Sequence, residues 1–212
     1  MLVTLTDPFS AQSEAYRTLR TNLSFYSLDE PLRTLVVTSA APDEESSIAA
    51  ANLAVTMAQS GRKTCLVECD LRRPSLHNLL AVKQQPGLTN TLISDDQLPI
   101  TETTVENLWV LPGGAKPPNP ADLLGSRKLD QVIQTLLEQV DIVLFTAPPV
   151  NVVTDATILG AKVDGVLLVI NSGKTRRDQA QRATEILAKA NVRIVGATVV
   201  NATDNASLDT YN

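Results

Sequence analysis

Five short, almost unbroken apolar runs constrain this chain more than anything else in it. They are Leu35 to Thr38, Thr64 to Val67, Val140 to Phe145, the GVLLVI run inside Val163 to Ile170, and Val192 to Val200. A strand with one wet face alternates apolar and polar residues, whereas a strand covered on both faces reads as a continuous run. Between the runs lie stretches with helical spacing, notably Ser47 to Ala58, which Gly61 closes, and Thr175 to Ala190. Buried strands alternating with helices predict an α/β fold, a three-layer α/β/α arrangement around a mostly parallel sheet. With 212 residues and 43% hydrophobic content there is enough material for one well-filled core, and residues 1–212 are expected to form a single domain. The minor pieces read as follows: a strap or tail over 1–7, a helix from Ser10 to Tyr26 with Ala15, Leu19, Leu23 and Tyr26 on its apolar side, and short helices near Leu76 and over 86–93. A polar connection follows from Asp95 to Thr104, then an edge-like strand from Leu108 to Leu111 with Trp109 in the core, and one helix from Asn119 or Ala121 to Leu137.

The first run stops abruptly at a polar loop, after which an alanine-rich helix begins. Such a strand–loop–helix unit presents backbone N–H groups to a bound anion. The loop's composition contradicts that use. A phosphate-cradling loop of pattern GxxxxGK[ST] needs glycines for close backbone approach and a lysine to neutralise the phosphates. Here the eight residues are AAPDEESS, with Asp43, Glu44 and Glu45 in the turn, Ser46 where the lysine belongs and Ser47 at the hydroxyl position. Acidic side chains at a helix N-terminus satisfy free N–H groups and suit the helix dipole, so the loop is expected to supply that negative charge itself. A divalent cation held by Glu44, Glu45, Glu68 and Asp70 is the alternative, with nothing to fix octahedral geometry.

The second run delivers Glu68 and Asp70 to its carboxyl end, where open α/β sheets bind ligands, and Arg72 and Arg73 follow at once. The third exits into Thr146, Ala147, Pro148 and Pro149, without the aspartate that orders magnesium and water in a nucleoside triphosphatase; Asp155 lies well past that exit. His77, the only histidine, has no partner set for acid–base or metal work. Cys65 and Cys69 read as buried, reduced thiols. A net charge of −5 argues against a nucleic-acid groove. Neither a signal segment nor a membrane-spanning apolar run is visible, which gives the expectation of a cytoplasmic chain. Glu14, Arg17 and Arg20 recur at three-residue spacing on the first helix. They form either a solvated face with a Glu14–Arg17 pair, worth about 0.2–0.5 kcal/mol, or a subunit contact in which an arginine fork meets a neighbour's carboxylate.

In collinear order the chain carries EAYRTLRTNLSF (Glu14 to Phe25), VVTSAAP (Val36 to Pro42), DLRRPSLHNLL (Asp70 to Leu80), PGLTNTL (Pro86 to Leu92), LPGGAKPPNPADLL, DIVLFTAPPV (Asp141 to Val150), TDA (Thr154 to Ala156) and VDGVLLVINSGKTRRD (Val163 to Asp178). Over almost its whole length it thereby resembles the bacterial tyrosine kinases of the capsule and exopolysaccharide type, a branch of the MinD/ParA-like P-loop ATPases. For an intact member the resemblance implies ATP and magnesium as cofactors. Here it implies losses: the family's glycines fall on Asp43 and Glu45, its lysine on Ser46 and its third acid on Thr146, while its paired aspartates read Glu68 and Asp70 and are half kept. The magnesium-coordinating hydroxyl position is kept at Ser47, and Arg72, Arg73 and Asp155 lie in matched stretches as family contacts. Tyr211 stands alone where the family has a tyrosine cluster, whereas Glu14, Arg17 and Arg20 match its oligomerisation motif. At an effective dielectric of about 20, each close like-charge pair costs roughly 4 kcal/mol at 4 Å, against about −8 kcal/mol for micromolar binding in total. The expectation is a pseudokinase that takes no cofactor, self-associates through the EAYRTLR helix, and serves exopolysaccharide assembly beside a membrane co-polymerase or an active kinase homologue. A co-polymerase partner would hold it at the inner face of the membrane. The alternatives are a weakly active tyrosine kinase and a ParA-like positioning protein.

Overall fold

A computed structural model describes residues 2–26, 31–42, 45–94 and 97–202. Its centre is a seven-stranded sheet of β1 (Thr34–Ser39), β2 (Thr64–Glu68), β3 (Thr101–Glu102), β4 (Leu108–Leu111), β5 (Ile142–Thr146), β6 (Gly165–Asn171) and β7 (Ile194–Val200), in the spatial order β3-β4-β2-β5-β1-β6-β7. Every pairing is parallel except β3 with β4. This is the predicted α/β fold with a mostly parallel sheet. β1 sits between β5 and β6, with Val36 opposite Phe145 on one side and Val166 on the other.

The runs of β1 and β2 have the reason assigned to them, since all six residues of β1 and all five of β2 are buried, whereas the last run is an exception: β7 is at the sheet edge and only Val195 in it is buried. Because side chains alternate across a strand, Leu35 and Val37 enter one core and Val36 the other. The first core is closed by α3 (Ser46–Gln59). Its alanines at 49, 50, 51, 54 and 58 are buried and let the helix approach the sheet closely. Gly61, at φ +87°, ends it, as expected of a left-handed position after a helix. The opposite core is closed by α7 (Arg127–Leu137), α8 (Asp155–Gly160) and α9 (Arg177–Lys189).

Five local readings need correction. The N-terminal strap contains a helical turn, α1 (Val3–Thr6), anchored by buried Leu2 and by Thr4, whose N–H and hydroxyl donate to Asn52 Oδ1 at 3.1 and 2.9 Å. On α2 (Ala11–Phe25), capped by the Ser10 hydroxyl, the packed side is Tyr16, Leu19 and Leu23, whereas Ala15 is exposed and Tyr26 lies largely outside. The polar connection contains β3, whose two residues pair with β4 and cover the expected edge. Trp109 packs against the core on one side only and is half-buried. The single helix expected up to Leu137 is two, α6 (Pro120–Gly125) and α7, because Ser126 is extended and its hydroxyl accepts from Leu129 N at 3.4 Å, starting a new helix. The short helices α4 (Leu76–Leu79) and α5 (Leu88–Ser94) lie where spacing placed them.

Candidate functional site

The carboxyl ends of β1, β2, β5 and β6 converge on a cleft of about 700 Å³. Its lining brings together Glu45, Ser46, Ser47, Asp70, Arg72 and Arg73, with Pro148, Pro149, Val152 and Val153 on the opposite wall. Two interactions fix that wall against β1: the Thr38 hydroxyl donates to Pro148 O at 2.8 Å, and Val150 N to Ser39 O at 2.9 Å.

At the mouth of the cleft, Glu45 precedes the first turn of α3 with φ 59° and ψ 25°, and its side chain makes no capping hydrogen bond. This overturns the expected capping role for that acid; Asp43 and Glu44 lie outside the described residues. The left-handed backbone is one that glycine adopts freely and other residues at a cost of about 1–2 kcal/mol. A left-handed turn residue therefore stands at Glu45 without the glycine that would make it easy.

Glu68 is turned inward. It is fully buried at the end of β2, where its Oε2 accepts from Ser75 N at 2.6 Å and Leu76 N at 2.8 Å, the two N–H groups at the start of α4. Its Oε1 accepts from the Thr146 hydroxyl. Two positions at which the resemblance departs from the family pattern, Glu68 and Thr146, thus bind each other. Burial pushes the Glu68 carboxyl above its ordinary value, against the three hydrogen bonds that pull it down. Glu68 does not line the cleft, so it is not available to the alternative four-carboxylate cation site, of which Glu44 lies outside the described residues; among the described residues no cluster has metal-holding composition.

Asp70 faces the cleft and accepts from Arg72 N and Arg73 N at 3.2 and 2.9 Å through Oδ1; burial raises its carboxyl and those bonds oppose the rise. Arg72 is committed elsewhere. Its guanidinium grips Asp155 through two bonds, Nε to Oδ2 at 2.8 Å and Nη2 to Oδ1 at 3.0 Å, and Asp155 is fully buried. Asp155, remote in sequence, returns to the site through this fork, which also raises the Arg72 pKa. Cys65 and Cys69 are buried nearby; burial pushes the Cys65 thiol up to about 12, and burial with Glu68, Asp155 and Asp70 as neighbours pushes Cys69 well up too.

Sequence reasoning missed Lys174, an exposed cation that lines the cleft from beyond β6. Its signal was the SGKT segment at the exit of a buried strand, but only the strand order places β6 beside β1. The arginines of α2 lie apart from the cleft lining. Arg17 pairs with Glu14 at 2.8 Å and donates to Pro8 O at 2.6 Å, and Arg20 donates to Thr56 O on α3 at 3.0 Å. Within the protomer all three therefore have local partners. On the same helix, burial raises the Tyr16 phenol first, then the charge of Glu45, against a bond to Asn52.

The ParA family model, described as a NUBPL iron-transfer P-loop NTPase, matches residues 34–206. The chain is 40% identical over 198 residues to the tyrosine-protein kinase YwqD of Bacillus subtilis (strain 168), covering 92% of this chain and 84% of YwqD. It belongs to the bacterial tyrosine-kinase family of ParA-like P-loop proteins. The kinase domain of Escherichia coli tyrosine kinase ETK superposes with a TM-score of 0.92 at 31% identity, covering 98% of this chain and 82% of that one. The septum site-determining protein MinD of Pyrococcus horikoshii, complexed with Mg-ADP, matches with a TM-score of 0.66 at 27% identity over 78% of this chain and 68% of its own.

Proposed function

We propose that this chain is a pseudokinase: a tyrosine-kinase fold that holds no nucleotide and works through protein contacts in exopolysaccharide biosynthesis. The observation that carries the reading is the buried Glu68–Thr146 hydrogen bond. A magnesium-ordering acid must turn an oxygen toward the cleft, but both Glu68 oxygens are spent on Ser75, Leu76 and Thr146. With Ser46 in place of the lysine and Glu45 at the loop turn, the residues present do not fit MgATP. The partners we infer are further copies of this chain through Glu14, Arg17 and Arg20, an active kinase homologue, or a membrane polysaccharide co-polymerase that brings this domain to the inner membrane face. Among the described residues no helix is long and apolar enough to cross a membrane. Tyr16, packed between α2 and α3 with Asn52 as a bonding partner, supplies a route by which a partner on α2 reaches the loop.

One observation favours a second reading, a weakly active kinase: the cleft is open, and Ser47, Asp70, Arg73 and Lys174 all line it. Denaturing the purified protein and separating the released small molecules distinguishes the two. The pseudokinase releases no adenine nucleotide, and stoichiometric ATP or ADP overturns it.

A further inference from the structure

A second groove, of about 670 Å³, lies on the opposite side of the sheet's midline from β6 and β7. It runs between α7 and the β3–β4 edge, and β2 and β5 separate it from the loop strand β1. That volume is in the range of small-molecule sites, about 300–1,000 Å³. One wall is the half-buried indole of Trp109, and Leu98, Ile100 and Val132 add apolar surface. The opposing rim is a row of exposed uncharged polar side chains at four-residue spacing, Gln131 and Thr135 on α7 and Gln139 just past its end; Gln97 lines the groove as well.

We propose that this groove binds a neutral saccharide. A sugar ring has an apolar C–H face and a rim of hydroxyls that each donate and accept. An aromatic plate beside side-chain amides, which carry both donors and acceptors, complements both features. The Trp109 indole N–H has no acceptor among the described residues, and neither do the Gln97 and Gln131 amides. Thr135 and Gln139 make only bonds back to α7, at 3.0 and 3.3 Å. The charged members among the described lining residues, Glu102 and Lys128, are of opposite sign, so the described lining offers no cationic cluster to select a phosphate or a polyanion. A peptide strand added to the sheet edge is disfavoured because β3 offers two residues of template. The proposal is independent of whether the loop cleft takes nucleotide.

Trp109 is the sole tryptophan, so emission excited selectively at the indole, beyond the absorption of the three tyrosines, reports on this groove alone. The full chain is titrated with cellotetraose, maltotetraose and chitotetraose, and with an extended Thr/Val peptide. The expected result is a saturable emission change with at least one saccharide, with a midpoint of about 10 mM or tighter. Gln131→Ala with Thr135→Ala, both exposed and outside the core, shifts that midpoint by about tenfold or more and leaves thermal melting unchanged. No saturable change with any of the three sugars, an unaltered midpoint in the double variant, or a response to the peptide alone overturns the proposal.

Discussion

Replacing Glu68 tests the buried contact between β2, β5 and α4 atom by atom. In Glu68→Gln the amide oxygen takes the place of Oε2 and accepts from Ser75 N and Leu76 N, while the amide nitrogen takes the place of Oε1 and donates to Thr146 Oγ1. The Thr146 hydroxyl is then free to turn to Val67 O, 3.5 Å away. Every polar atom keeps a partner, and the buried charge is gone. Glu68→Ala instead strands both N–H groups at the start of α4. At roughly 1–3 kcal/mol for each buried donor left unpaired, and with Ser75 partly exposed, the loss is about 2–5 kcal/mol. The glutamine also carries a pH signature. Burial raises the folded carboxyl above its ordinary value of 4.5, so the folded state holds that proton more tightly than the unfolded one. The Glu68 contribution is full below the unfolded pKa and is lost as pH rises through the folded pKa. Urea denaturation of wild type and Glu68→Gln from pH 4.5 to 8 should show the variant gaining on wild type as pH rises, then levelling off. A difference that stays constant with pH, or one in which wild type gains, refutes the reasoning.

Three further outcomes follow from the same geometry. Glu45→Gly relieves a left-handed backbone, partly offset by the larger unfolded-state entropy of glycine, and should add about 0.5–1 kcal/mol, read as a rise of about 2–3 °C in Tm; a drop in Tm would show that the carboxylate itself stabilises the loop. Arg72→Ala leaves Asp155 buried without its fork and should cost about 3–5 kcal/mol in urea unfolding, with Arg72→Lys recovering only part, since an ammonium lacks the paired geometry; a loss below about 1 kcal/mol contradicts the fork's role. Arg17→Ala with Arg20→Ala should lower the particle mass measured by light scattering while circular dichroism stays native, and an unchanged mass counts against α2 as the self-association surface.

The sheet was legible because strands buried on both faces carry apolar runs through their middles, and β1, β2, β5 and β6 do. β3 was not: Thr101 and Glu102 are held by backbone pairing to Val110 and Trp109, and two residues carry no period. The break at Ser126 was equally quiet, since a serine inside a helical pattern signals a new cap only once its backbone is seen to be extended. At the site, the residue types that depart from the phosphate-loop pattern could be named from sequence, but their partners could not. That Glu68 points to α4 and Thr146 depends on β2 and β5 being neighbours, with Glu68 opposite Thr146. The use of Arg72 by Asp155 depends on a return of the chain across 83 positions. Glu45 was read by its charge, whereas its backbone conformation turned out to be the more informative property.

Isothermal titration with MgATP, with the ETK kinase domain run alongside as a positive control, tests the central claim most directly. The account predicts no saturable heat for this chain at nucleotide concentrations up to about 1 mM while the control binds; a dissociation constant below about 100 μM contradicts it.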